Sequence, residues 1–147
     1  MNINYIQEIL SKDVYSLGYS IWGVEMFGRH SNQTLRIYID NDQGITLQDC
    51  EKVSKHIINV LDAKDEFSKK YLLEVSSPGL ERKFFFKDQY YDYVNKYFKI
   101  KYLDGNNKKK TIKGCLEKVE DINLYFNSDK EILKIPFLSI IQANLIM

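Results

Sequence analysis

The hydrophobic pattern changes character once along the chain, and that change limits the folds open to it. From Ile3 to Ser76 apolar residues follow helical and strand periods in turn; beyond Arg82 they fall into short runs separated by turn residues. Ile3, Ile6, Leu10, Val14 and Leu17 make one stripe of an amphipathic helix, which Asn2 can cap and Gly18 can end. Ser20 to Phe27 reads as a strand with Trp22, Val24 and Met26 on one face, and the polar stretch 28–33 as a hairpin connection. Thr34 to Asp40 alternates, with Leu35, Ile37 and Ile39 pointing one way and Arg36, Tyr38 and Asp40 the other. Thr46 and Asp49 form a capping-box pair ahead of a second helix, whose apolar stripe is Leu47, Cys50, Val53, Ile57 and Leu61. A charged loop, Lys64 to Lys70, leads to a strand at Tyr71 to Ser76. The order α-β-β-α-β predicts two helices layered on a small sheet.

After Arg82 an aromatic segment, Phe84 to Tyr93, reads as helical. Five strand candidates follow: Tyr97–Leu103, Thr111–Val119, Ile122–Phe126, Glu131–Ile135 and Gln142–Ile146. Such short, closely spaced strands favour a small β-barrel, in which curvature limits exposed edges. Pro78-Gly79 is the natural joint, because proline stiffens the chain and glycine permits a sharp change of direction. The expected fold class is therefore α+β, with an α-β-β-α-β two-layer domain at 1–82 and a small barrel at 83–147.

The net charge of +1 conceals an asymmetry. Nine basic and twelve acidic residues precede Lys83, and twelve basic and eight acidic residues follow from it, so the halves carry −3 and +4. Halves of unlike charge point to different partners. The longest apolar stretches are interrupted by Lys134, Gln142 and Asn144, well short of the roughly 18 residues that a membrane helix needs. Met1 to Tyr5 has no basic flank and no apolar signal core, so a cytoplasmic location is expected. Two cysteines, Cys50 and Cys115, are too few and too far apart for a disulfide framework and read as small buried hydrophobes.

Covalent chemistry finds little support. Asp40, Asp42 and Glu51 fall at positions one, three and twelve of a would-be calcium loop, but its turn position is Ile45 and the glycine is Gly44. The histidines are His30, in a turn, and His56, six residues after Cys50 and so turned to the opposing side of one helix. No nucleophile–base pair, zinc ligand set or phosphate-cradling glycine loop is present. We therefore expect no catalytic residue, no metal and no cofactor, although a site made of carboxylates alone would leave no such trace.

The strongest basic signal is Lys108-Lys109-Lys110 followed by Lys113, beside the predicted hairpin after Gly105. Lys99 and Lys101 share a face of the preceding strand by its period of two. Such a strand pair can follow a phosphate backbone, gaining from counterion release; it can equally be a solvated loop tip. Tyr90, Tyr91, Tyr93, Tyr97, Phe98 and Tyr102 lie among these lysines, and rings so placed either stack on unpaired bases or fill a small core.

The run Leu73-Glu74-Val75-Ser76-Ser77-Pro78-Gly79-Leu80-Glu81-Arg82 resembles the signature of the bacterial ribosome maturation factor RimP family. The resemblance continues in 35–40, 44–46 and 49–54, and downstream in Gly114-Cys115-Leu116 and Ile135-Pro136-Phe137. It implies an α/β domain joined to an SH3-like or Sm-like barrel. It also implies a cytoplasmic, non-enzymatic factor that binds the free small (30S) ribosomal subunit and helps it mature. The implied partners are ribosomal RNA and, for the barrel, the small-subunit protein numbered twelve; a monomer without membrane association is expected. Within the motif, Leu73 and Val75 should anchor the strand, Ser76 and Ser77 hydrogen-bond backbone, Pro78-Gly79 turn the chain, and Leu80 pack at the junction. Ser76 to Arg82 is thus the expected interdomain hinge, in which Arg82 either pairs with Glu81 or reaches phosphate.

The chain departs from the family at three places. Lys83 stands where a proline is usual, and Asn95 replaces a common glycine, a turn that asparagine preserves by tolerating positive φ. Gln142 and Asn144 replace basic residues around Ala143. The resulting expectation is an assembly chaperone whose contact residues are Lys99, Lys101, Lys108, Lys109, Lys110 and Lys113. The alternative is a general RNA-binding regulator using the Sm-like barrel.

Overall fold

Ile6, Leu10 and Val14 are fully buried and define the inner face of helix α1 (Ile3–Ser16) in the computed structural model, which describes residues 3–29, 31–64 and 71–147. Their four-residue spacing stacks the three side chains on one helix face. The Gly18 N–H bonds the Tyr15 carbonyl at 3.0 Å and the Tyr19 N–H returns to Val14 at 3.2 Å, which closes the helix. The Asn2 cap, His30 and most of the charged loop at 64–70 lie outside the described residues.

β1 (Ser20–Arg29) and β2 (Asn32–Asp40) pair antiparallel, and because Arg29 already opposes Asn32 the connection is tighter than the expected 28–33. Leu35, Ile37 and Ile39 are fully buried, as their alternation predicts. On β1 the expected face of Trp22, Val24 and Met26 is corrected. The register shifts between Ile21 and Gly23, so Trp22 is the extra residue of a β-bulge, and Ile21 joins Val24 and Met26 against the core.

Helix α2 (Leu47–Asp62) begins with both capping-box bonds in place. The Asp49 N–H donates to Thr46 Oγ1 at 3.1 Å, and the Thr46 N–H donates to Asp49 Oδ2 at 2.8 Å. Val53, Ile57 and Leu61 are buried with Cys50 packed beside them, but Leu47 is 89% exposed. Ten residues before Ile57, Leu47 is rotated about 80° away from it, off the inward face. β3 (Tyr71–Ser76) pairs parallel to β2, with Leu35 opposite Leu73 and Ile37 opposite Val75, and completes a sheet of order β1-β2-β3. One cluster unites α1, α2 and this sheet as the predicted α-β-β-α-β layers.

The Tyr19 hydroxyl also donates to Asp49, and this bond, with those from Thr46, holds the Asp49 carboxyl below the usual carboxylate range. A carboxyl whose folded pKa is depressed stabilises the fold above its unfolded pKa of about 3.9, and that contribution vanishes as pH falls through the lower folded value. Asp49→Asn should therefore lose less stability than wild type between about pH 6 and about pH 3. Denaturant midpoints at the two pH values measure the difference.

The chain divides into two units, Met1–Pro78 and Gly79–Met147, which places residues 79–82, grouped from sequence with the first domain, in the second. Backbone pairing explains this. The Leu145 N–H bonds the Arg82 carbonyl at 2.9 Å, the Phe84 N–H bonds Ala143 at 2.9 Å, and Lys83 bridges Asn144. The aromatic segment forms a short 3-10 helix at Lys87–Tyr93, whose start is held by Gln89 Oε1 accepting the Phe85 and Phe86 N–H groups.

Five antiparallel strands follow: β4 (Tyr97–Leu103), β5 (Lys109–Glu120), β6 (Asn123–Ser128), β7 (Glu131–Pro136) and β8 (Ile140–Leu145), in the order β7-β6-β5-β4-β8. β5 pairs with β4 through its first half and with β6 through its second, with a register shift between Leu116 and Lys118. That bulge bends the strand and curls the sheet. A single turn, Phe137–Ser139, joins β7 to β8. The span from Pro136 to Ile140 reaches at most ~15 Å, less than the ~19 Å between the edges of a flat five-stranded sheet, so the sheet is strongly curled. The described strands form one curled sheet whose edge strands are β7 and β8. Its core is aromatic. The Phe98 ring lies 4.9 Å from Phe84, 5.6 Å from Tyr90 and 5.7 Å from Phe126, and burial drives the Tyr90 hydroxyl pKa strongly upward.

Asn95 has φ 73°, so it serves the turn its position requires. The β6–β7 hairpin turns on Asp129 and Lys130, with φ 51° and 67°. Both residues of such a two-residue turn need positive φ, which lysine adopts at a cost. Lys130→Gly should stabilise the second unit by about 0.5–1 kcal/mol, read as a higher denaturation midpoint.

Candidate functional site

The alternation of β4 sets the site. Phe98, Ile100 and Tyr102 point inward, which turns Tyr97, Lys99 and Lys101 to the outer face. Antiparallel register then selects their neighbours. Lys113 lies directly opposite Lys99 and Thr111 opposite Lys101 on β5, while Asn144 and Gln142 flank the same two lysines on β8. Lys109, opposite Leu103, continues the outer row. Lys99, Lys101, Thr111, Gln142 and Asn144, with Glu81 and Ile146, line an open concavity of about 250 Å³.

Register divides the six lysines expected from sequence. Lys99, Lys101, Lys109 and Lys113 share the outer face. Lys110 opposes Tyr102 and so belongs to the other side of the sheet, where its ammonium sits 3.4 Å from Asp104 Oδ2. Lys108 lies in the turn. Asp104 organises that turn: Oδ1 accepts the Lys108 N–H at 2.9 Å and the Asn106 N–H at 2.8 Å, and these backbone donors, with Lys110, hold its carboxyl below the usual range. Among the described residues no carboxylate lies within ion-pair distance of Lys99, Lys101, Lys109 or Lys113.

Like charges placed directly opposite on neighbouring strands destabilise a sheet. The Lys99/Lys113 pair therefore opposes folding slightly and is relieved when an anion lies between the two ammonium groups. The polar groups beside them are positioned too. Gln142 Nε2 donates to Asn144 Oδ1 at 2.9 Å, and Asn144 Nδ2 donates to the Glu81 carbonyl at 3.2 Å. By sequence alone Gln142 and Asn144 weaken any anion site, and Thr111 carries no signal. All three are placed by strand pairing, which the sequence reveals only once the register is known.

The aromatic residues divide as well. Tyr90, Phe98 and Tyr102 are core, whereas Tyr97 is 60% exposed and stands on the lysine face, with Tyr91 exposed elsewhere. In the first unit the outer sheet face is internally neutralised. Arg36 binds Glu74 at 2.7–2.8 Å and stacks 4.5 Å from the Phe27 ring, and the Tyr38 hydroxyl donates to Glu25 at 2.6 Å. That cluster joins β1, β2 and β3 and leaves its cation engaged.

In the central motif, Leu73 and Val75 pack against the first core, and Ser76 Oγ donates to the Ser77 carbonyl at 3.0 Å. Gly79 has φ 82°, a conformation glycine supplies at a position where the chain leaves one unit for the other. Leu80, expected to pack, is 75% exposed. The Glu81 and Arg82 carbonyls are tied to β8, and the Arg82 guanidinium lies 6.0 Å from the Tyr93 ring centroid.

Among the described residues no group of three or more His, Cys, Asp or Glu gathers to hold a metal ion, and no helix is long and apolar enough to cross a membrane. His56 lies 3.6 Å from Asp13 across the two helices, and Cys50 and Cys115 are free thiols. Residues 9–81 match the family model described as the RimP N-terminal domain, a span that takes in the first unit from Ile9 onward and the motif through Glu81.

Proposed function

The chain belongs to the RimP family of ribosome maturation factors, and on that footing we propose that it is a non-catalytic assembly chaperone of the small (30S) ribosomal subunit, whose second unit grips the immature particle through Lys99, Lys101, Lys109 and Lys113. The observation that carries the reading is the lysine row on β4 and β5, facing outward with no carboxylate of the described residues paired to it. Ammonium groups arranged in this way gain free energy by displacing counterions from a phosphate backbone, which is the dominant chemistry of an RNA particle. The charge division supports the assignment. Met1–Pro78 holds eight basic and eleven acidic residues, and Gly79–Met147 thirteen and nine.

In this reading the curled five-stranded sheet is an SH3-like or Sm-like module that meets ribosomal RNA and an arriving small-subunit protein, by family resemblance the one numbered twelve. Ser76 to Arg82 act as the hinge that presents the two units. The factor works in the cytoplasm as a monomer and forms no covalent intermediate. The family is one of non-enzymatic assembly factors, and chaperoning needs only transient contacts that keep RNA and protein in an order permitting late folding.

Co-sedimentation with purified ribosomal particles tests the proposal. The full-length protein should travel with free small subunits and be released as salt is raised. Migration only with complete ribosomes, or with no particle, overturns the assignment.

A further inference from the structure

We propose that the outer face of β5-β4-β8 is a binding site for single-stranded RNA, with Tyr97 as a base-stacking platform and Lys99, Lys101 and Lys113 as the backbone track. This rests on the assembly reading and names the kind of RNA segment that the factor holds.

Three features of the face select a single strand. First, Tyr97, Lys99 and Lys101 recur every second residue on one side of β4, ~6.7 Å apart, an interval that the successive phosphates of an extended strand can follow. Second, the ring of Tyr97 is 60% exposed at one end of that row, and an exposed ring beside cations offers its face to a base. A duplex keeps its base faces stacked inside the helix and leaves such a ring nothing to cover. Third, Gln142 and Asn144 place side-chain amides beside the same lysines, donors and acceptors of the kind that address base edges. A run of glutamates would satisfy the ammonium groups but carries no aromatic face for the ring to stack on.

The site is built on paired strands, so its spacing is fixed before the ligand arrives. Its cost is the Lys99/Lys113 opposition, which a phosphate between them relieves.

The test uses the full-length protein with three probes: an oligouridine of about 12 nucleotides, an RNA duplex of similar length, and a polyglutamate peptide. The single strand should bind at least about tenfold more tightly than the duplex, and polyglutamate should not displace it. Tyr97→Ala should weaken single-strand binding about tenfold, while Tyr97→Phe, which keeps the ring, should stay within about twofold of wild type. Lys99→Gln should lower the salt slope by about 0.7. Duplex binding as tight as single-strand binding, indifference to Tyr97→Ala in a folded variant, or preferential binding of polyglutamate would each overturn the proposal. Salt-sensitive binding to small subunits without measurable oligouridine binding rejects the single-strand site and leaves the assembly role standing. Oligouridine binding that depends on Tyr97, without particle binding, supports the site and rejects that role.

Discussion

Replacing Lys99, Lys101, Lys109 and Lys113 together by glutamine is expected to weaken binding to immature small subunits by about two orders of magnitude at physiological salt. Each lysine that neutralises a phosphate contributes roughly 0.7–0.9 to the slope of log affinity against log salt, so four contribute about three. The loss should therefore be largest at low salt and shrink as salt rises. All four side chains are exposed and none holds an ion pair with a described carboxylate, so the fold should survive and gain slightly from relief of the Lys99/Lys113 opposition. The internal control is Lys110→Gln. Its ammonium is already engaged by Asp104 on the other side of the sheet, and its loss should change the slope little. Titrations of particle binding across a salt series, with circular dichroism on each variant, measure both effects. An unchanged slope in the quadruple variant would show that this face is not the contact.

Phe98→Ala should unfold the second unit while the first stays native. Phe98 is fully buried and its ring centroid lies within 5.7 Å of those of Phe84, Tyr90 and Phe126, so truncation removes the centre of the aromatic core. A phenylalanine truncated in such a site costs about 3–5 kcal/mol. A unit of this size has only roughly 3–10 kcal/mol of total stability. The first unit has its own cluster, centred on Leu35, Ile37, Ile57 and Leu10, in which Phe98 takes no part. Hydrogen exchange should therefore show lost protection in β4, β5 and β6 with protection kept in β2 and α2. Parallel loss in both units would mean that they fold as one cooperative body.

What is legible in the sequence is whatever its local period dictates. Leu35, Ile37 and Ile39 announce a half-buried strand, and Thr46 and Asp49 announce a helix start; the turn at Asn95 is expected only through the family resemblance. Errors arise where one residue changes parity or where a partner strand decides. The bulge at Trp22 leaves no mark in the alternation, yet it moves Ile21 rather than Trp22 to the core. Leu47 matches an apolar stripe by type but sits a fraction of a turn off its face. The strand order β7-β6-β5-β4-β8 depends on which strands meet across the sheet, which no local signal encodes.

The candidate site is half legible for the same reason. The period of two suffices to put Lys99 and Lys101 on one face. The cluster Lys108-Lys109-Lys110 looks like one feature because its members are adjacent, but adjacent residues on a strand face opposite ways. Only the hairpin register, with Lys113 opposite Lys99 and Lys110 opposite Tyr102, separates the outer row from the lysine that serves Asp104. Register likewise turns Gln142 and Asn144 from apparent losses of charge into polar neighbours of the row.

The most direct measurement places a photoreactive amino acid at Thr111, between the lysines of β4 and β5, and irradiates the protein bound to immature small subunits. The account predicts crosslinks from position 111 to ribosomal RNA, reduced by salt and abolished when Lys99, Lys101, Lys109 and Lys113 are glutamine. RNA crosslinks that arise from positions on α2 of the first unit, such as Ile58, with none from position 111, would contradict it.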